Sequence, residues 1–250
     1  MFNITVPTPT AEKAFDMLTN QIRALNWFKQ NNRMYRWEYY QKLNNPIINQ
    51  MIEDRNIEKA VFYSKYQKLF VENLYKEDLY EDKIVEIKKA ILELKPCYKK
   101  YENLQKSWGF EILKEYQVDV NLYGCGGSYH KDKQGVGHII IGQTKNLAFT
   151  IGHEIMHLGI EDLIINPKHQ KEPPVKQEEK ERIVDNLCIY AMKGILPLEK
   201  IWRNGKESDY QEVAACASYM DKVVGKQPEN NLVLAVQQFL EKGKTDLNHA

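Results

Sequence analysis

The first 108 residues contain no glycine at all, and proline occurs there only at positions 7, 9, 46 and 96. A stretch so poor in both breakers reads as helix punctuated by proline. No run approaches the ~18 apolar residues that a membrane-spanning helix needs. The N-terminus, MFNITVPTPTAEK, has no basic segment followed by an apolar one. No Sec signal is therefore expected, and a cytoplasmic location with no membrane span is. An excess of charge of either sign is also missing: 35 Lys and Arg face 34 Asp and Glu, a net charge of +1. A nucleic-acid partner, which calls for a basic stripe, is not expected. The four cysteines, Cys97, Cys125, Cys188 and Cys216, are widely spaced and form no CxxC. That leaves neither a zinc ribbon nor a thioredoxin motif. Reduced thiols are expected, with Cys188 and Cys216 as small hydrophobes in helical runs.

What the chain does have is core-forming material. Of its 250 residues 43% are hydrophobic, and 15 Tyr, 8 Phe and 4 Trp rule out a disordered chain. Thr10 opens a helical pattern carried by Ala14, Phe15, Leu18, Ile22, Leu25 and Phe28. Further helices are expected over 33–44, which Asn44-Asn45-Pro46 stops, and over 47–53, 57–77 and 80–94, the last ended by Pro96. The character changes near 109, where Gly109, Gly124, Gly126, Gly127, Gly135, Gly137 and Gly142 cluster. Two strand-like runs lie there, Val118–Tyr123 and His138–Ile141, joined by a Gly-rich segment. That segment is no phosphate loop, since GxxxxGKS and GxxxxGKT are both absent. Helices are expected again over 146–165, 176–194, 208–224 and 229–242, with a proline-bearing loop at 166–176. The expected class is α+β, mainly α: a helical N-terminal region over 1–108, then a second region over 109–250 with a small sheet.

One motif carries chemistry: His153-Glu154-Ile155-Met156-His157. A chain of this length and composition contains HExxH by chance about 0.01 times. On a helix the two imidazoles stand one turn apart on one face and bind one ion, while Glu154 reaches a water on that ion as general base. Thr150 and Glu161 share the polar stripe, and Leu147, Ile151, Ile155 and Leu158 form a face to bury. A catalytic zinc needs a third protein ligand. The metzincin spacing puts that ligand at Leu163 and its glycine at Ile160, so it does not apply. On the next helix Glu181 and Asp185 stand one turn apart. Glu181 completes a His2Glu set, and Asp185 is placed to hold the other ring nitrogen of a ligating histidine. Glu178 and Glu179 are rival ligands; Glu161 is another, but one turn beyond His157 on the same helix it is better placed to support a ligand.

HExxH followed by ExxxD resembles the gluzincin metallopeptidases of the thermolysin kind, over about 137–197. It is more loosely similar to compact ImmA/IrrE-type peptidases, in which a related helix ends near a Leu-Pro, here Leu196-Pro197. The resemblance implies a zincin-like catalytic region and a zinc-dependent peptidase. Its metal ligands are His153, His157 and Glu181, its base Glu154 and its supporting carboxylate Asp185. The implied cofactor is Zn²⁺ and the implied partner a peptide or protein substrate. In zincin folds an edge strand above the active-site helix takes up the substrate, so His138–Gly142 or Val118–Tyr123 is the expected shelf, with Gly124–Tyr129 as a rim. Zincins also use a His or Tyr to stabilise the oxyanion, and Tyr129, His130, His169, Tyr190 and Tyr210 are candidates. The rival class is a zincin-like regulatory or protein-interaction protein with a vestigial or structural metal site, binding its partner through the N-terminal helices.

Overall fold

The computed structural model describes residues 2–30, 34–108, 110–165, 177–192 and 194–196. The helices expected over 208–224 and 229–242, the loop at 166–176 and Cys216 lie outside them. Helix α1 covers Ala11–Arg23, and the Thr10 hydroxyl accepts from the Lys13 amide at 3.2 Å, closing its first turn. The helix stops at Ala24, and α2 (Leu25–Gln30) continues separately, so the expected single run to Phe28 is two helices. Helix α3 is Met34–Lys42. Helix α4, Pro46–Glu53, has Pro46 in its first turn and the Asn45 side chain accepting from the amides of Ile47 and Ile48. Helices α5 (Lys59–Asn73) and α6 (Glu77–Leu94) follow. Pro96 ends α6 in a short 3-10 turn over Lys95–Cys97, which leads into α7 (Tyr98–Trp108), a helix the spacing did not announce.

The sheet holds four strands among the described residues: β1 (Asn3–Thr5), β2 (Glu115–Cys125), β3 (Gly127–Lys131) and β4 (Gly137–Gln143), in the order β1-β2-β4-β3. Strands β1, β2 and β4 run parallel, with Asn3 opposite Glu115 and Val118 opposite Ile139. Strand β3 runs antiparallel to β4, Tyr129 opposite Ile139. The chain therefore leaves β2, crosses the end of β4 and returns on its far side. The crossing is tight: a side chain on Gly142 would put its Cβ 2.4 Å from the carbonyl carbon of Gly124. This contact, and the left-handed backbone of Gly126 (φ 70°), account for glycines in a segment expected to be a linker.

The sheet separates two helical layers. On one face Asp119 and Asn121 are buried; Lys13 of α1 meets Asp119 at 2.6 Å, and Gln117 donates to the same carboxylate at 2.8 Å. On the other face Tyr116, Val118, Val120, Ile139 and Ile141 are fully buried towards α8 (Leu147–Ile165). Helix α8 packs on β3, β4, α6 and α9 (Gln177–Met192). It is buried on every side from Ala148 to Ile160, so its polar stripe is enclosed as well. The change near 108 is the end of α7, and apolar side chains before and after it form one core cluster. Phe2, for instance, meets Tyr98 at 4.1 Å and Tyr116 at 5.1 Å between ring centroids. The architecture is α+β, mainly α. Cys97, Cys125 and Cys188 are buried, and no disulfide joins them. Among the described residues no helix is long and apolar enough to cross a membrane.

Candidate metal centre and its cleft

Helical periodicity sets the first two donors. His153 and His157 are 1% and 2% exposed on α8, with their Nε2 atoms 3.1 Å apart. Helix α9 returns alongside and brings Glu181 Oε2 to 3.5 Å from each of them. These three are a group of donors able to share one ion. A tetrahedral zinc with bonds of ~2.0–2.1 Å holds its donors ~3.3–3.4 Å apart, so a triangle of this size fits. The outer ring nitrogens agree. His153 Nδ1 lies 3.3 Å from Asp185 Oδ1, a charge contact rather than an aligned hydrogen bond, which favours a proton on that side and turns Nε2 towards the shared point. Cys188 Sγ approaches the same nitrogen at 3.8 Å. His157 Nδ1 is buried with no hydrogen-bond partner among the described residues. Both Nε2 atoms and a carboxylate oxygen then converge on one point, where a bound cation would take the place of a proton.

The electrostatics of the metal-free site follow from these contacts. Burial disfavours the imidazolium of His153, but Asp185, Cys188 and Glu181 outweigh it and hold its pKa well above the usual histidine value. Burial lowers the pKa of His157, and the charge of His153 adds to that effect against the pull of Glu181. Burial also opposes ionisation of Glu181, yet its contacts with His153 and His157 prevail and hold its carboxyl far below the ordinary range. Glu181 is therefore a fixed anion ready to ligate.

Around the donors, three elements brace His157. The ring of Tyr129 on β3 stacks on it at 4.7 Å and 12°. The Tyr129 hydroxyl donates to Glu161 of α8 at 2.7 Å, and Lys180 of α9 donates to the same oxygen at 2.5 Å. Lys180 also lies over the Tyr129 ring at 5.2 Å. Burial and the bond to Glu161 raise the Tyr129 pKa, so its hydroxyl stays protonated as a donor. Glu161 is thus engaged by Tyr129 and Lys180 and is not one of the clustered donors. The side chains of Glu178 and Glu179 lie outside the described residues. Of the oxyanion candidates, Tyr129 has its hydroxyl committed to Glu161. His130 stacks on His138 at 4.7 Å, and Tyr190 is buried beneath Lys100. His169 and Tyr210 lie outside the described residues.

Glu154 points to the start of β3. A Cβ on Gly127 would stand 2.3 Å from Glu154 Oε1, so only glycine leaves the carboxylate its place. Arg36 of α3 donates to the Gly127 carbonyl at 2.8 Å and lies over the Phe28 ring at 4.4 Å. Here a cleft of about 1070 Å³ opens, with His153, Glu154, His157 and Glu181 on one side and residues of α1, α2 and α3 on the other. Its other boundary is β3, and this corrects His138–Gly142 as an expected substrate shelf. Strand β4, which contains His138–Gly142, is paired on both sides by β2 and β3, whereas Val118–Tyr123 pairs with β4 and lies beyond the β1 ladder, which ends at Gln117. Strand β4 therefore has no free ladder for another chain, whereas β3, which borders the cleft, is paired on one side only among the described residues. The Gly127–Glu154 contact and the stacking of Tyr129 on His157 were missed in the sequence, where only the glycine cluster and the aromatic at 129 hinted at them. A supporting place for Glu161 and a substrate-platform role for the N-terminal helices were among the readings it allowed. No protein-family profile, curated protein or solved structure matches the chain.

Proposed function

We propose that the protein is a zinc-dependent peptidase of the gluzincin kind, with His153, His157 and Glu181 as metal ligands. The observation that carries the reading is the convergence of those three donors beside Glu154, on a cleft that ends at an edge strand. Donors from two imidazoles and one carboxylate suit zinc and leave a position open among the described residues. When bound, zinc supplies Lewis acidity that polarises a carbonyl and makes water nucleophilic near neutral pH. The chain's own groups do the rest. Glu154 accepts the proton of the attacking water and delivers it to the leaving amine. Asp185 fixes the tautomer and tilt of His153, and Tyr129 holds the plane of His157. Strand β3 aligns an extended peptide by main-chain hydrogen bonds, bringing one carbonyl alongside Glu154.

Glu154→Gln tests the reading against its rival, a regulatory protein with a structural metal. The expected outcome is loss of peptide hydrolysis by about 10²–10⁴-fold with zinc content unchanged, the range for a general base. Hydrolysis at the wild-type rate in that variant contradicts the proposal. A wild-type protein that binds zinc and hydrolyses no peptide supports the structural reading.

A further inference from the structure

We propose that α1 and α2 form the substrate-selecting wall of the cleft, taking a large apolar side chain of the peptide, aromatic or long aliphatic. This rests on the peptidase reading and names its substrate class. Helices α1 and α2 bring Met17, Asn20, Gln21, Trp27 and Phe28 to the cleft, with Ala24 between the two helices, and there is no carboxylate and no cation among them. Trp27 is 48% exposed, whereas Met17 and Phe28 beside the same space are buried. A half-open indole on the wall of a concave site is an anchor for an apolar group.

The wall is tied to the chemistry at both ends. Phe149, one turn before His153 on α8, lines the same cleft, and its ring lies 5.7 Å from that imidazole. Phe28 carries Arg36 on its face, Arg36 holds the Gly127 carbonyl, and Gly127 packs on Glu154. A side chain next to the scissile carbonyl therefore reaches Phe149 and the α1–α2 wall. The α1–α2 wall carries no charge, so neither an acidic nor a basic side chain finds a partner on it; the cleft's described carboxylates, Glu154 and Glu181, sit at the metal centre, and its cations, Arg36 and Lys145, come from other elements.

The test uses the full chain carrying Glu154→Gln and loaded with zinc, so that bound peptide persists. The probes are acetylated and amidated alanine hexapeptides with one residue replaced by Phe, Leu, Lys or Glu. Phe and Leu peptides are expected to bind at least about tenfold more tightly than the all-alanine peptide, the scale for a filled apolar pocket. Trp27→Ala in the same background should remove most of that preference, and Trp27→Phe should keep it. Both changes fall on a half-exposed residue and should leave zinc content intact. Equal affinity for all probes, no binding of any, or a preference that survives Trp27→Ala overturns the proposal. Hydrolysis of the same peptides by the wild-type chain judges the peptidase reading separately: cleavage without apolar preference defeats the wall alone.

Discussion

Gly127 has no side chain, and Glu154 fills the space where one would stand. The proposed base is thus positioned by an absence on the neighbouring strand. Gly127→Ala adds a methyl group at 2.3 Å from Oε1, and either β3 or the carboxylate has to move by about an ångström. A shift of that size costs on the order of 10²-fold in rate. Hydrolysis by Gly127→Ala should fall by about that factor while zinc content stays at the wild-type level. Full activity would show that Glu154 does not need its observed place. The two imidazoles were legible at this scale in the sequence because HExxH is a local rule: spacing of four on a helix aligns two side chains whatever lies around them. Glu181 and Asp185 were legible for the same reason once a return helix was granted. Gly127 was not, because its contact with Glu154 depends on β3 crossing the end of β4.

At the scale of elements, α8, α9 and β3 meet at His157 through Tyr129, Glu161 and Lys180. The Nδ1 atom of His157 has no partner among the described residues, so ring stacking takes over the orienting role that the charge contact with Asp185 plays for His153. Zinc affinity should respond in graded fashion. Tyr129→Phe keeps the stack and removes the tie to Glu161, for a loss of a few-fold. Tyr129→Ala removes both, for a loss of about 10–100-fold, the scale of groups supporting a metal ligand. Competition with a zinc indicator measures it, and wild-type affinity in Tyr129→Ala would discount the brace. The helical elements were readable from capping and spacing, as Thr10 and Asn45 show. Strand β3 was not readable: the five residues GSYHK carry a weak alternation, and their pairing with Gly137–Ile141 is set by tertiary contacts. Strand β1, three residues long, is decided wholly by its partner β2.

In the whole molecule the three clustered donors join α8 to α9, and the N-terminal helices line the opposite side of the cleft. Arg36 contacts Gly127 across 91 positions of sequence, a distance no local pattern spans. Zinc bound to such a site stabilises the fold by linkage, about 4 kcal/mol when free zinc exceeds Kd a thousandfold. Stripping the metal with a chelator should lower the melting temperature by roughly 8–16 °C for a chain of this size. The effect has a definite pH sign. The raised pKa of His153 stabilises the metal-free fold below the unfolded value of about 6.5, and that contribution is lost as pH rises through the folded pKa. The same proton competes with zinc at low pH. The gap between zinc-loaded and stripped protein should therefore widen as pH rises, and a gap that narrows would refute this account of His153.

The most direct measurement is zinc content by plasma mass spectrometry, on protein purified without added metal and without a histidine tag. The account predicts one zinc per chain, retained in Glu154→Gln and lost in His157→Ala. A protein that carries no zinc as purified, and takes up none on titration, would contradict it.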